Sequence, residues 1–569
     1  MADSPHAPDS FVFKTDRPWP NPPLAVAAIV GHSTPTSTRL WLRTGCTGQF
    51  TLLLYPQEEI TDSEARAALR ASLSQVPLSL DDAAGLFPGA RQVDFTIEDR
   101  DSDTTTVLDL EGLDPDTRYG YLLHFREEER VLLGHNRLRG FRTPPSYQER
   151  RPFQFALFSC HMPYRKSGLF GKRTEVRDVE IWDYLGASLR RHAGQIDLVI
   201  AGGDQAYVDG VPTLDIWRFL NRRMRKEGDE LLPDEASMLS WYRDIYCGYW
   251  GFPSVQEVFD SFPVYMIWDD HEIGDGWGSH NIGEDGDGVQ RLLPSLEEKG
   301  LTPAEGRELA ERMFRAAKRA YQDYEHSHNP PTEEGVFDYS FRRGGCAYYV
   351  LDGRGHRDIG RESFRILGRA QFDRFAEWAA GVDPQETPFL FVVSAVPVLH
   401  MRSGLVNADD TWLISQAGLG DDLRDAWEHE LHDEERGALL EVLFGAAARG
   451  VRVCVLSGDV HVSAVYSIED SEGRRIYQLT SSAITYGLGR PASWVLSVGA
   501  ADDGETTEGH RFERVALYAD SSYALISVDP EAGEAWFKLY GEQKLEPPPA
   551  LSGADTIPLN HSVAKIRLF

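Results

Sequence analysis

The 569-residue chain has little cysteine: Cys46, Cys160, Cys247, Cys346 and Cys454 are all it holds. An odd number without repeated spacing is no disulfide framework, and no CxxC pair marks a structural zinc site. Positive charge is scarce as well. Against 89 Asp and Glu stand 58 Lys and Arg, a formal net charge of −31. Such a surface repels polyanions, so no nucleic-acid binding is expected, and an anionic substrate would have to meet concentrated positive charge at its site. Bound metal ions supply such charge. Long apolar runs are missing too, and nothing approaches the ~20 residues of a membrane-spanning helix. The first residues, MADSPHAPDSFVFKTDRPWP, show neither the basic head nor the apolar stretch of an export signal. The expectation is a cytoplasmic protein with no membrane span, export of a processed form being left open.

What is present is an ordinary soluble balance, 41% apolar and 26% charged, in a chain long enough for two or more domains. Residues 24–143 carry short strand-like runs (VAAIVGHS, TRLWLRTG, FTLLLYP) parted by Ser, Thr and Gly, then LEGLDPDTRYGY, a strand, a Pro turn and a second strand. They predict a small β-sandwich. Residues 144–152 (PPSYQERRP) read as a polar linker. From 153 to 569 apolar strands alternate with helical stretches, the pattern of an α/β domain. Thr302-Pro303-Ala304-Glu305 is a capping box that predicts a helix to about Tyr324. Between the WDDHE segment and that helix lies an acidic, Gly-rich stretch expected to be a long loop.

The chemistry-bearing residues stand where apolar runs end. FQFALF leads into Ser159-Cys160-His161, and IDLVIAGG into Asp204 with Tyr207 close behind. FPVYMIW leads into Asp269-Asp270-His271-Glu272, and VRVCVLSG into Asp459 and His461. Runs this rich in Val, Ile and Leu predict buried strands, and open α/β sheets place ligands beyond the carboxyl ends of such strands. Carboxylates, histidines and a tyrosine brought repeatedly to one sheet edge point to a metal-dependent hydrolase. Thiolate with phenolate favours a trivalent iron, whereas an oxygen-rich neighbouring set suits Ca²⁺, Mg²⁺ or Mn²⁺. Two such ions could clamp a phosphate, His271 could protonate the leaving oxygen, and Arg354 could hold a phosphoryl oxygen bidentately.

Taken in chain order, the SC(H), GDxxY, WDDHE, LDxR (Leu351 to Arg354) and GDVH segments resemble the alkaline phosphatase D (PhoD-like) family of calcineurin-type metallophosphoesterases. The GLxPxTxYxY pattern and the closing Gly140-Phe141-Arg142-Thr143 resemble the fibronectin type III-like N-terminal domain of that family. The resemblance implies an α/β fold with a four-layer αββα sandwich and a two-metal site at the strand ends. It implies Fe³⁺ plus Ca²⁺, the second metal alternatively being Mg²⁺, Mn²⁺ or Zn²⁺. Cys160, Asp204, Tyr207, Asp459 and His461 would be ligands of the iron and its neighbour, with Asp204 bridging, and Asp270 would bind the second metal. His271 would be the catalytic histidine. His161 stands where the family usually has Gln and is a further candidate ligand; Asp269 and Asp275 are two more. The implied reaction is hydrolysis of a phosphate ester by hydroxide activated between the two metals.

Other readings of the same residues stay open. Cys160 and Tyr207 could be packing residues, and Arg354 could be a plain salt-bridge partner of Asp352 or Asp358. His400, His429 and His432 are expected at the surface. The site could equally serve phosphodiesters or phospholipid headgroups, and a non-catalytic, metal-stabilised binding protein is the alternative of a different class.

Overall fold

Two mixed sheets carry the site, and their central strands are the apolar runs of the sequence. In the computed structural model, which describes residues 20–57, 63–167, 173–192, 194–209, 211, 215–216, 233–278, 302–357, 365–402, 406, 424–486, 499–541 and 562–569, the chain is a mixed α/β protein with several sheets. The first of the two sheets has six strands in the order Val264–Ile267, Ile196–Gly202, Phe153–Phe158, Ser522–Asp529, Glu534–Gly541, Ser562–Arg567. Its first three strands run parallel, with Val199 opposite Val264 and Ile200 opposite Leu157. The second sheet has eight strands, of which Cys346–Val350, Phe389–Val393, Arg452–Ser457 and Arg475–Thr480 run parallel at its centre.

Side-chain alternation along each strand decides what each face touches. Phe155 lies against Tyr348 and Phe391 of the other sheet, ring centroids 5.7 and 5.1 Å apart. Phe158, of opposite parity, packs at 4.8 Å on Trp182 of the helix Glu180–Arg191. In the other sheet Phe389, Phe391 and Val393 join the inter-sheet core. Leu390 and Val392 turn the other way and pack in a second core with Phe375 and Leu443 from the helices Gly368–Ala380 and Asp433–Ala448. Each such large side chain, fully buried, contributes about 1.5–3 kcal/mol. This is why every residue of Val264–Ile267 and Phe389–Val393 is apolar. The helix Pro303–Tyr324 starts as its sequence predicts, the Thr302 hydroxyl accepting from Glu305 N.

Ahead of residue 153, a three-stranded sheet (Ala27–Thr34, Ser37–Arg43, Thr105–Glu111) and a five-stranded sheet built on Gly48–Pro56 and Arg118–Phe125 enclose a core of Val30, Leu40, Leu52 and Leu123. Hydrogen bonds fasten this unit to the α/β part of the chain. Trp41 Nε1 donates to Asp323 O at 2.7 Å, Tyr121 Oη to Asp260 O at 2.7 Å, and Leu24 N to Cys247 O at 2.7 Å. No helix among the described residues is long and apolar enough to cross a membrane.

Candidate metal centre

The parallel strands of both sheets end on one edge, and the candidate residues follow directly. Phe153–Phe158 delivers Cys160, Ile196–Gly202 delivers Asp204 and Tyr207, Val264–Ile267 delivers Asp269 to Glu272, and Arg452–Ser457 delivers Asp459 and His461. Cys160, Asp204, Asp459 and His461 have left-handed backbones, with φ of 55°, 59°, 60° and 54°. Non-glycine residues rarely adopt that region, and such strain collects at functional sites. Close approach explains the preceding glycines. A Cβ on Gly203 would stand 2.9 Å from Asp269 Cβ, and one on Gly458 would stand 2.3 Å from Ser159 Oγ.

Three different donor atoms, a sulfur, an oxygen and a nitrogen, converge on one side of Asp204. Its Oδ2 lies 3.5 Å from Cys160 Sγ and 3.1 Å from Tyr207 Oη, which is itself 3.2 Å from His461 Nε2. On the other side, single oxygens of Asp204, Asp269, Asp270 and Asp459 all lie within 4.8 Å of one another, and Asp204, Asp270 and His271 form a further set of that size. Asp204 therefore belongs to both sides. Asp204 Oδ1, Asp269 Oδ2 and Asp270 Oδ1 are buried and accept no hydrogen bond from a described residue.

Electrostatics leave this cluster short of positive charge. Burial, then the proximity of Asp269 and Asp270, pushes the Asp204 and Asp459 carboxyls well above the usual carboxylate range, and His271 only partly offsets this at Asp204. Asp269 is pushed up to about 6 by burial, despite Arg354. Burial likewise raises the Cys160 thiol and the Tyr207 phenol, and lowers His461 to about 3, leaving a neutral imidazole. Buried oxygens without donors, a thiol, a phenol and a neutral imidazole form a donor set that fits cations. At His271 burial works downward, but Asp209, Asp270 and Asp204 outweigh it and hold the imidazolium well above its ordinary pKa.

Two expected roles are corrected by the geometry. His161 is not aimed at the cluster: its Nε2 lies 3.0 Å from Tyr249 O and its Nδ1 accepts from Trp182 Nε1 at 3.1 Å, so both nitrogens are taken. Arg354 has no fork free for a phosphoryl oxygen. Its guanidinium is fully buried, gripping both oxygens of Asp425 (2.9 and 2.5 Å), donating to Trp277 O at 2.7 Å and bonding Asp269 through Nε. It braces the carboxylates instead of facing substrate. Asp275 is exposed, its Oδ1 4.0 Å from His271 Nε2, and with Asp209 and His271 it makes a third small group of acidic and imidazole atoms. The histidines expected at the surface, His400, His429 and His432, are all buried.

Asp209 and Tyr486 were not singled out in the sequence, and Glu272 was named there without a role. Asp209 Oδ1 sits 2.7 Å from His271 Nδ1, and its other oxygen accepts from Asp275 N at 2.5 Å. Glu272 is buried and accepts from Asp269 N (2.7 Å), Ala206 N (2.8 Å) and Asp204 N (3.2 Å), pinning two of the strand ends together. Tyr486 stacks on His461 at 3.8 Å and on Tyr207 at 5.4 Å. The only sequence signal was proximity, since Asp209 and Glu272 lie inside or beside motifs already noted; Tyr486 gave none.

The family model described as PhoD-like phosphatase matches residues 180–532, more than half of the chain. The chain belongs to this family. The resemblance read from its motifs is thereby confirmed. A solved structure described as that of PhoD aligns with a TM-score of 0.57 at 15% identity, covering 92% of this chain and 86% of that one, a likeness of fold. A purple acid phosphatase from seeds of yellow lupin (Lupinus luteus) aligns more weakly, with a TM-score of 0.48 at 13% identity, over 92% of this chain and 72% of that one. A relative in Saccharomyces cerevisiae, described as an uncharacterized protein, is 22% identical over 339 residues. The match spans 47% of this chain and 44% of that relative's length.

Proposed function

We propose that this protein hydrolyses phosphate esters at a two-metal centre formed by the strand-end cluster. The carrying observation is the position of Asp204, whose carboxylate belongs both to the Cys160–Tyr207–His461 side and to the Asp269–Asp270–Asp459 side. On this reading Cys160, Tyr207, Asp459 and His461 would be ligands of a ferric ion and its neighbour, Asp270 would hold the neighbouring Ca²⁺ or other divalent cation, and Asp204 would serve both. When bound, the two cations supply the charge that binds phosphoryl oxygens and lowers the pKa of the attacking water.

The chain's own residues do the rest. His271, ordered by Asp209, donates a proton to the leaving oxygen. The Arg354–Asp425 pair and Glu272 hold Asp269, Asp270 and Asp204 in place as an outer shell. The fold belongs with this reading as a four-layer αββα sandwich over residues 153–569, joined by the 144–152 linker to a fibronectin-like sandwich over 24–143. Metal analysis and paired assays test it. Iron with a second metal, and turnover of 4-nitrophenyl phosphate or of bis-4-nitrophenyl phosphate, is expected. Absence of metal together with no turnover of either ester would overturn it, and the ratio of the two rates assigns monoester or diester preference.

A further inference from the structure

Behind the Arg354–Asp425 brace lies a second arginine whose bonding is incomplete. Arg357 is wholly buried and reaches Asp425 Oδ1 through Nη1 alone. Its Nε and Nη2 are buried and find no acceptor among the described residues. These two nitrogens share one edge of the guanidinium plane, the edge whose parallel N–H groups receive an anion side-on. The same molecule shows that edge in use: Arg43, equally buried, donates from Nε and Nη2 to the two oxygens of Asp103 at 3.1 Å each. At Arg357 the matching acceptor is absent from the described residues.

Among the described residues the brace leaves N–H groups unbonded, and the carboxylate that Arg357 reaches is not its own. Asp425 is already shared with Arg354. Gly278 packs so close that a Cβ there would stand 2.3 Å from Arg357 Cδ, and the preceding Trp277 gives its carbonyl to Arg354. The indole N–H groups of Trp277 and of Trp427, two residues after Asp425, are likewise buried and unbonded among the described residues. A buried cation with unbonded N–H groups is costly, and an anion removes that cost.

We propose that the Nε/Nη2 edge of Arg357 binds a small monoanion, a carboxylate or a halide, which completes the ionic brace behind the metal cluster. The site is separate from the one that takes the phosphate ester and does not depend on the reaction assigned to that cluster. It makes the stability of the brace, and through Asp269 the order of the cluster, respond to anions.

The test is thermal unfolding of the full chain, titrated with sodium formate or sodium chloride against sodium gluconate at constant ionic strength. Gluconate is too large for a buried fork. A saturable rise in melting temperature of about 2–4 °C is expected with formate or chloride and none with gluconate. Whichever of the two saturates at lower concentration identifies the preferred anion class. Arg357→Gln is expected to abolish the response; the titration of the unmodified protein decides the matter even where that variant does not fold. Equal melting temperatures in all three salts would overturn the proposal and mean that the protein satisfies Arg357 from within. An anion response without phosphatase turnover would leave this site standing and sink only the reaction.

Discussion

Asp209 Oδ1 and His271 Nδ1 face each other at 2.7 Å, and that contact fixes which imidazole nitrogen is left to meet a leaving group. A carboxylate on Nδ1 orients the ring and stabilises its protonated form, leaving Nε2 as the proton donor. Asp209→Asn is therefore expected to lower kcat roughly 10–100-fold with little change in bound metal. The pH–rate profile should lose its alkaline limb at lower pH than in the parent, since the imidazolium loses its largest electrostatic support. Unchanged kcat and pH profile would show that His271 is not the acid.

Asp204→Asn should abolish turnover and bring metal content below half of the parent value, measured by plasma emission after dialysis. The same variant, stripped of metal with a chelator, should melt higher than the stripped parent. Removing one carboxylate from a buried group of four relieves repulsion that no cation then offsets. Full metal content and activity in Asp204→Asn would overturn the bridging role.

Arg354→Met leaves Asp425 and Asp269 buried against a single remaining arginine. The expected loss is about 3–5 kcal/mol in denaturant unfolding, with much of it recovered by adding Asp425→Asn. A phosphate-holding arginine would instead show a raised KM with unchanged stability, so the pair of measurements separates the two roles.

His161→Asn should leave iron stoichiometry and the iron absorption band intact while lowering stability by about 1–3 kcal/mol, because Trp182 Nε1 loses its acceptor. Loss of iron in that variant would restore His161 to the ligand set.

Glu325, buried and near enough to Asp204 for that carboxylate to raise its pKa as well, gives a further pH test. Burial raises its carboxyl to about 8, although the Tyr246 hydroxyl donates to it and works downward. The folded protein thus holds a proton there that the unfolded chain releases near 4.5. Its contribution is fully present below that lower value and is lost as pH rises through 8, at a slope of about 1.4 kcal/mol per pH unit in between. Glu325→Gln should flatten the stability profile between about pH 5 and 8, read from denaturant midpoints. A profile identical to the parent would show that Glu325 does not bind this proton.

Much of this was legible in the sequence because the α/β pattern and the metal candidates obey local rules. FQFALF, IDLVIAG and VRVCVLS are strands because their apolar residues are buried on both faces, and Asp204 and Asp459 mark where two of them meet the edge. What was not legible depends on contacts far apart in the chain. His161 follows a ligand candidate but leaves a left-handed Cys160, and its ring is carried to Trp182 and Tyr249. Arg354 carries the right charge in the right motif, yet Asp425, 71 residues away, occupies it. Glu272 was visible as a letter of WDDHE, while its work of accepting three backbone N–H groups is a property of the folded loops. The buried His400, His429 and His432 sit in polar sequence that gives no periodic sign of burial.

The helix Glu235–Tyr249 holds the N-terminal sheets at Cys247, whose carbonyl takes the Leu24 N–H, and two residues later the Tyr249 carbonyl takes the His161 ring beside Cys160. One turn of helix thus serves as a common anchor for the front of the chain and for the Cys160 loop. A fragment trimmed at residue 153 would lose the Leu24 end of that anchor and leave the helix that seats the His161 ring held from one side fewer.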